Sequence, residues 1–212
     1  MEKEERMQKV MKALDRLYPG QGTALGFDSV FQLTVAVILS AQCTDARVNM
    51  VTKELFKKHK TPSDFVKLPG ENLEKIIFST GFYRAKAKNI KAMAELVHTK
   101  FSDKVPKTME ELLTLPGVAR KTANIVLTEG YGIVDGIAVD THVKRLSNRL
   151  GFTVSSNPEI IERDLMGLAP KEKWGEVSNM LIWHGRRICF ARKPNCQACK
   201  ISKYCPSAFT FE

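Results

Sequence analysis

The stretch LPGVARKTANIVL, residues 115–127, decides how the middle of the chain folds. Its Pro-Gly pair predicts a tight turn, after which a helix should begin near Ala119. Residues 110–113 read as a short helix before the turn, and the small residues Gly117, Ala119 and Ala123 would let the two helices approach closely. A glycine turn followed by a helix N-terminus presents unpaired backbone N–H groups, which suit a phosphate. The stretch predicts a helix-hairpin-helix that binds a DNA backbone, with an ordinary turn between packed helices as the alternative.

A second Leu-Pro-Gly turn, residues 68–70, provides an internal comparison. It is followed by two carboxylates, Glu71 and Glu74, where the first turn is followed by Arg120 and Lys121. Carboxylates would repel a phosphate, so the second turn is expected only to begin a helix.

Lys121 carries a positive charge where a helix should begin, beside Arg120. Helix N-termini disfavour cations, and the partial burial that we expect here would disfavour the charge further. A lysine amine attacks a carbon atom only in its neutral form, so surroundings that oppose the charge suit imine chemistry. The alternative is a lysine that contacts a phosphate.

Asp140 follows a short apolar segment, residues 137–139, and precedes a helix whose inward face should carry Val143, Leu146 and Leu150. An isolated aspartate at such a position is usually a helix N-cap. A partly desolvated carboxylate could also stabilise a developing sugar cation or move a proton. The two roles are compatible, because one oxygen can cap while the other faces a site. The basic residues of this helix are expected on its exposed side, where they could follow phosphates: Lys144, Arg145 and Arg149.

Four of the five cysteines form the pattern C-x6-C-x2-C-x5-C: Cys189, Cys196, Cys199 and Cys205. Four thiolates can hold a structural zinc ion or an iron–sulfur cluster. Zinc ribbons usually join two close Cys-x-x-Cys pairs through a long loop, whereas only one such pair occurs here, in one compact loop. The pattern favours a [4Fe–4S] cluster, with zinc as the alternative. Cys43 stands apart and is expected to be a buried thiol.

Basic residues surround these cysteines. Arg192 and Lys193 lie together between the first two, and no acidic residue occurs between His184 and Cys205. Such a loop suits phosphate contacts, and the net charge of +10 over 212 residues likewise favours a polyanion as partner.

Helical periodicity dominates the chain, which predicts an all-α fold. Helices are expected over residues 29–41, capped by Asp28, and over residues 44–59, 84–100 and from 171 onward. The third of these should carry one apolar face, formed by Ala87, Ile90, Met93 and Val97, and Pro158 is expected at a boundary between elements. The longest apolar stretch is too short to cross a bilayer, and the charged N-terminal helix has no cleavable apolar core. We therefore expect an intracellular, cytoplasmic protein that is neither secreted nor bound to a membrane.

Several stretches together resemble endonuclease III, the iron–sulfur branch of the helix-hairpin-helix DNA glycosylases: LPGVARKTA, VDTH, the four-cysteine pattern, LSAQCTDARVN and STGFYRAKAKNI. The resemblance spans nearly the whole chain. It implies two all-α domains with a DNA-binding cleft between them. One would be a six-helix barrel with the hairpin, residues 23–134. The other would be discontinuous, residues 1–22 and 135–212, and would hold the [4Fe–4S] cluster. It also implies a monomer associated with the nucleoid.

The resemblance implies a bifunctional enzyme of base excision repair. It would act on double-stranded DNA that contains damaged bases or abasic sites, removing oxidised pyrimidines and then nicking 3′ to the abasic site by β-elimination. Lys121 would attack C1′ of the flipped nucleotide and Asp140 would assist. The implied DNA contacts are Gln42, Phe82, Arg84, Gly117, Ala119, Arg120, His142, Arg192 and Lys193.

Two of these contacts differ from the usual pattern of the family. Phe82 would be the intercalating wedge, where leucine is usual. Gln42, which follows the family pattern, would fill the space that the flipped base leaves. The alternative for Phe82 is an anchor in the core. Ala119 stands where glycine is usual, and alanine would be strained there if the position required a positive φ.

Two other functions compete with this interpretation. One is a mismatch-specific, monofunctional glycosylase, although those relatives lack a lysine at the position of Lys121. The other is a non-catalytic DNA-binding module that carries iron–sulfur or zinc. The presence of both Lys121 and Asp140 argues against such a module.

Overall fold

The computed structural model describes residues 1–211, and this part of the chain is helical with no β-strand, so the predicted all-α fold is confirmed. Five helices come before the longest one: α1 Lys3–Leu17, α2 Val30–Leu39, α3 Asp45–Lys58, α4 Pro62–Lys67 and α5 Gly70–Ile77. The others are α6 Tyr83–Lys100, α7 Met109–Leu113, α8 Arg120–Ile125, α9 Thr141–Arg149, α10 Pro158–Leu168 and α11 Trp174–Arg187. Within the described range no helix is both long and apolar enough to cross a membrane.

The chain divides into two compact units. The central unit is Ala24–Asp135, and the terminal unit joins Met1–Thr23 to the chain from Gly136 onward. Each has its own apolar core.

The core of the central unit is built around α2, whose residues Phe31–Leu39 are all buried. A helix that is apolar on every side is stable only when other elements surround it. Ser29 rather than Asp28 is its N-cap, since the Ser29 hydroxyl accepts the N–H of Gln32. The expected cap at Asp28 is therefore wrong. The Asp28 N–H instead donates to the Gln32 side chain at 2.9 Å.

The long helix α6 crosses the same unit and contacts α2, α4 and α5. Its predicted apolar face is confirmed, because Ala87, Ile90, Met93 and Val97 are all buried. The short helix α8 continues into a single π-helical turn, Val126–Gly130. That turn packs closely on α2: a Cβ added at Gly130 would lie 2.9 Å from Cγ1 of Val30.

The terminal unit packs α1 against helices from the second half of the chain. Met7, Val10 and Leu14 of α1 share a core with Leu146 of α9 and Leu181 of α11. Helix α10 belongs to this core as well, although the sequence reading placed only a boundary at Pro158, which is the first residue of that helix.

Candidate functional site

The predicted hairpin is present in the central unit. Helix α7 is capped by Thr108, whose hydroxyl accepts the N–H of Glu111, and α8 begins at Arg120 after the Leu-Pro-Gly turn. Gly117 has a φ of +80°, and a Cβ added there would lie 3.0 Å from Cβ of Asn89 on α6. The turn therefore needs glycine for its backbone conformation and for its close approach to α6.

Ala119 is the N-cap residue of α8 and has extended backbone, with φ −90° and ψ 170°. Any residue adopts this conformation without strain, so alanine in place of the family's usual glycine does not disturb the turn. Its side chain makes no cap hydrogen bond. No side chain at this position therefore caps the first turn of α8. A helix start that binds a phosphate requires this, because the phosphate takes the place of the cap.

Lys121 is the second residue of α8, and its side chain is exposed. The expected partial burial is wrong. This exposure leaves the amine accessible to a bound nucleotide.

Asp140 is the N-cap of α9, and its Oδ1 accepts the N–H of Val143 at 2.8 Å. The capping role is real, and it uses one carboxylate oxygen. His142, two residues later, is half-buried with its Nδ1 3.1 Å from an Arg145 nitrogen. Burial, opposed by the nearby Asp140 carboxylate, lowers the pKa of His142 below its usual value. The imidazole is therefore mainly neutral at pH 7.

Gln42 and Phe82 lie in two exposed turns of the central unit, and both have positive φ, 53° and 48°. Positive φ is uncommon in residues other than glycine, and such strain concentrates at functional sites. Phe82 is 67% exposed, so the alternative of a core anchor is excluded. Arg84, just beyond it, is exposed and has its guanidinium 5.5 Å from the ring centre of Tyr83.

The structure brings the four patterned cysteines together. All four line one recess in the terminal unit, with apolar neighbours that include Leu146, Ile188 and Ile201. Among residues 1–211, no group of three or more His, Cys, Asp or Glu side chains is arranged to hold a single metal ion. Cys43 is apart from them, partly buried against the core of the central unit.

Hydrogen bonds reach the sulfur atoms from a buried histidine and an arginine. His184 Nε2 lies 3.3 Å from Cys199 Sγ, and its Nδ1 lies 3.0 Å from the Tyr18 hydroxyl. Burial lowers the pKa of His184 to about 4, so the ring is neutral at pH 7. If Tyr18 donates to Nδ1, the proton on Nε2 points at the sulfur. Arg149 also donates to Cys189 Sγ, at 3.2 Å.

Two arginines of α9 hold the backbone of the cysteine loop. Arg145 donates to the carbonyls of Gly185 and Cys189, at 3.0 and 2.9 Å. Arg149 donates to those of Phe190 and Ala191, at 2.7 and 2.9 Å. The expectation that Arg145 and Arg149 lie on an exposed, phosphate-following face is therefore wrong. Their long side chains fold back onto a loop 40 residues further along, which helical periodicity does not reveal.

The loop between the first two cysteines remains exposed at Arg192 and Lys193, as predicted, and Lys193 has a positive φ of 49°. Burial raises the pKa values of the Cys199 and Cys205 thiols. A metal must displace these protons, so its binding should weaken as the pH falls.

Comparison with known proteins assigns the family. Residues 35–171 match the HhH-GPD superfamily of base excision DNA repair proteins. Endonuclease III of Synechocystis sp. (strain PCC 6803) is 50% identical over 206 residues, which are 97% of this chain and 94% of the relative. Endonuclease III of Bacillus subtilis (strain 168) is 44% identical, over 89% of this chain and 86% of the relative. A solved structure described as a trapped endonuclease III–DNA covalent intermediate superposes with a TM-score of 0.93, at 41% identity, and covers 98% of both chains.

The chain belongs to the endonuclease III family. As a member, it is a bifunctional DNA glycosylase and AP lyase of base excision repair. This membership sets aside both the non-catalytic binding module and the monofunctional glycosylase.

The sequence patterns of this endonuclease III family member did not predict that Lys86 is buried. Lys86 of α6 is only 5% exposed, and its ammonium donates to the carbonyls of Leu39 and Thr80, each at 2.8 Å. A signal was available, because Lys86 precedes Ile90, Met93 and Val97 at the spacing of the buried face.

Gly117→Ala should destabilise the protein by at least about 1 to 2 kcal/mol, because alanine is disfavoured at positive φ. The added methyl group would also crowd Asn89. The matched control is Gly70→Ala in the other Leu-Pro-Gly turn, where a Cβ meets nothing within 4 Å. Gly70 is the first residue of α5, so alanine there should be neutral or stabilise by up to about 1 kcal/mol. Denaturant unfolding compares the two variants, and equal losses would contradict a special role for the Gly117 turn.

Proposed function

We propose that this protein excises oxidised pyrimidines from double-stranded DNA and then nicks the strand 3′ to the abasic site, through an imine on Lys121. The observation that carries this proposal is the exposed amine of Lys121 at the start of α8, directly after the hairpin turn. It is supported by the endonuclease III relative that was trapped in a covalent complex with DNA.

Lys121 takes part in both steps, the release of the base and the nicking of the strand. The neutral amine bonds to C1′ as the bond between C1′ and the base breaks, and the base leaves with that electron pair and takes up a proton. The sugar ring then opens to a protonated imine. This imine acidifies the C2′ proton, whose removal expels the phosphate oxygen from C3′ and nicks the strand. Water finally releases the lysine as a free amine.

Asp140 assists at the sugar. While its Oδ1 caps α9, the negative charge of the carboxylate stabilises the positive charge that develops on the sugar as the base departs. The cap fixes the carboxylate in one orientation, so no reorganisation is needed when charge appears.

DNA contacts of two kinds accompany this chemistry. Backbone N–H groups at Gly117, Ala119 and the start of α8 bind a phosphate, and the basic side chains Arg84, Arg120, Arg192 and Lys193, with neutral His142, contact the strands. The contacts made by Gln42 and Phe82 compensate for the flipped nucleotide, since flipping costs a few kcal/mol and leaves a space in the stack. Their exposure and fixed, strained backbones suit insertion.

The four-cysteine recess suits a [4Fe–4S] cluster held by Cys189, Cys196, Cys199 and Cys205. A zinc ribbon usually joins two Cys-x-x-Cys pairs through a long loop, whereas these four cysteines include one such pair and lie in one compact loop, which favours the cluster. When bound, the cluster cross-links the basic loop. The donors at Arg149 and His184 direct hydrogen bonds to its sulfur ligands, which is how proteins of this class tune such a centre. The central and terminal units would then be the barrel and cluster domains of a monomeric, cytoplasmic enzyme that works on the nucleoid.

Lys121→Gln should abolish nicking and borohydride trapping on a duplex with one oxidised pyrimidine, while binding to abasic DNA persists. The control is Lys104→Gln, which removes the same charge from another exposed lysine of the central unit. Undiminished nicking by Lys121→Gln would remove this lysine from the mechanism.

Asp140→Asn should slow base release about a hundredfold or more, the scale of a lost acid–base or electrostatic contribution. Its stability should hardly change, because asparagine caps helices as well as aspartate does. Asp140→Ala should lose activity and also about 1 kcal/mol of stability. Single-turnover kinetics and thermal unfolding separate the two effects. A stability loss without an activity loss would leave Asp140 as a cap only.

Cys199→Ala should yield a colourless or pale protein with less bound iron and sulfide and a lower melting temperature. The matched control is Cys43→Ala, outside the recess, which should remain brown. Iron, sulfide and zinc assays on the purified proteins measure what the site holds. Stoichiometric zinc in a colourless native protein would show that the four cysteines bind zinc and not a cluster.

A further inference from the structure

Lys86 is a buried cation that the proposed chemistry does not use. Its side chain lies within the central unit, and its ammonium is shared between the carbonyl oxygens of Leu39 and Thr80, each 2.8 Å away. Burial lowers its pKa, and the nearby Cys43 opposes this effect. A methionine would fill the same space without desolvating a charge, but it would leave both carbonyls without this donor, so the role of the lysine lies in these two backbone ends.

The two carbonyls have the same structural position. Leu39 is the last residue of α2, and Thr80 is the last residue of the 3₁₀ helix Phe78–Thr80. Carbonyls at a helix C-terminus lack partners within the helix and carry the negative end of its dipole. An ammonium group with three donors can satisfy both ends at once.

Each helix end leads directly into one of the strained, exposed turns. Gln42 comes three residues after Leu39, in a turn closed by the N–H of Cys43 donating to the Ser40 carbonyl at 3.1 Å. Phe82 comes two residues after Thr80, following Gly81, and both have positive φ. Lys86 therefore joins the bases of the two turns whose tips carry the residues proposed to enter the base stack.

We propose that Lys86 is a positioning residue that holds the Gln42 and Phe82 turns at one fixed separation, so that both side chains enter DNA together. The proposal rests on the proposed function, specifically on insertion of these two side chains. Lys86 itself is buried and acts only through the two backbone ends. Without it, the turns would move independently, and each would have to be ordered while the nucleotide flips, which slows the steps that depend on flipping.

The chain supplies a matched control on the same helix. Lys91, five residues further along α6, donates to the carbonyls of Phe65, Val66 and Leu68, at 2.8, 2.8 and 2.6 Å. These carbonyls surround the end of α4, which leads into neither inserting turn. Lys91→Met thus removes the same kind of contact from the same helix without loosening the Gln42 or Phe82 turn.

The experiment compares two substrates for wild type, Lys86→Met, Lys86→Arg and Lys91→Met, each purified as full-length protein. The first is a duplex with one oxidised pyrimidine, where base release requires flipping. The second is a single-stranded oligonucleotide with one abasic site, where imine formation and nicking require neither flipping nor insertion. The ratio of the two single-turnover rates isolates insertion from lysine chemistry and from general stability.

Lys86→Met should lower this ratio about tenfold or more, the scale on which small misplacements affect rates. Lys86→Arg, which keeps the donors, should recover most of it, and Lys91→Met should leave it unchanged even if its melting temperature falls. Combining Lys86→Met with Phe82→Ala should cost less than the sum of the separate effects, because both act on one step. If Lys86→Met does not fold, Lys86→Gln replaces it, since its shorter amide cannot span both carbonyls.

An unchanged ratio for Lys86→Met, or an equal fall for Lys91→Met, would overturn the positioning role. Failure of the wild type to release the base from the oxidised-pyrimidine duplex and nick it would instead contradict the proposed function. The first failure is seen in the variants and the second in the wild type, so the same experiment distinguishes them.

Discussion

The structure depends on satisfying the backbone polar groups at the ends of many short helices. Each helix leaves about four N–H and four C=O groups without intrahelical partners. In a chain with eleven α-helices within residues 1–211, this requirement recurs more often than any other. Short polar side chains satisfy the N-terminal ends, and long cations reach the C-terminal ends. Ser29, Thr44, Thr61, Thr108, Asp140 and Asn157 are the N-caps of the first kind.

Some of these helix ends also bear on function. Ala119 provides no side-chain cap at the start of α8, where the hairpin is proposed to receive a phosphate instead. Asp140 caps α9, although a neutral asparagine or serine would cap as well, so its negative charge is not required for capping. Lys86 satisfies carbonyls at the C-terminal ends of two helices, and Arg149 satisfies carbonyls of the cysteine loop; each also fixes a segment that carries a proposed DNA contact. The same physical requirement thus builds the scaffold and orients the site.

Much of this could be predicted from the sequence, because the relevant signals were local. The α6 stripe, the Leu-Pro-Gly turn, the Asp140 cap and the cysteine spacing each depend on residues a few positions apart. The failures involve long side chains that reach distant backbone. Arg145 and Arg149 were placed in solvent because a helical wheel gives the direction of Cβ and not the end of a guanidinium group. Lys86 was missed for the same reason, and the exposure of Lys121 depends on neighbours that a single stretch does not specify.

The discontinuity of the terminal unit has a consequence for synthesis. The central unit has its whole core available once residue 135 has been made, whereas α1 is made first and finds its partners last. Arg6 of α1 donates to the carbonyl of Leu150, 144 residues further along, and Leu14 packs in a core with Ile201. During translation, α1 must therefore remain without its core partners while the central unit folds behind it. Residues made after the central unit then complete both the core around α1 and the four-cysteine loop.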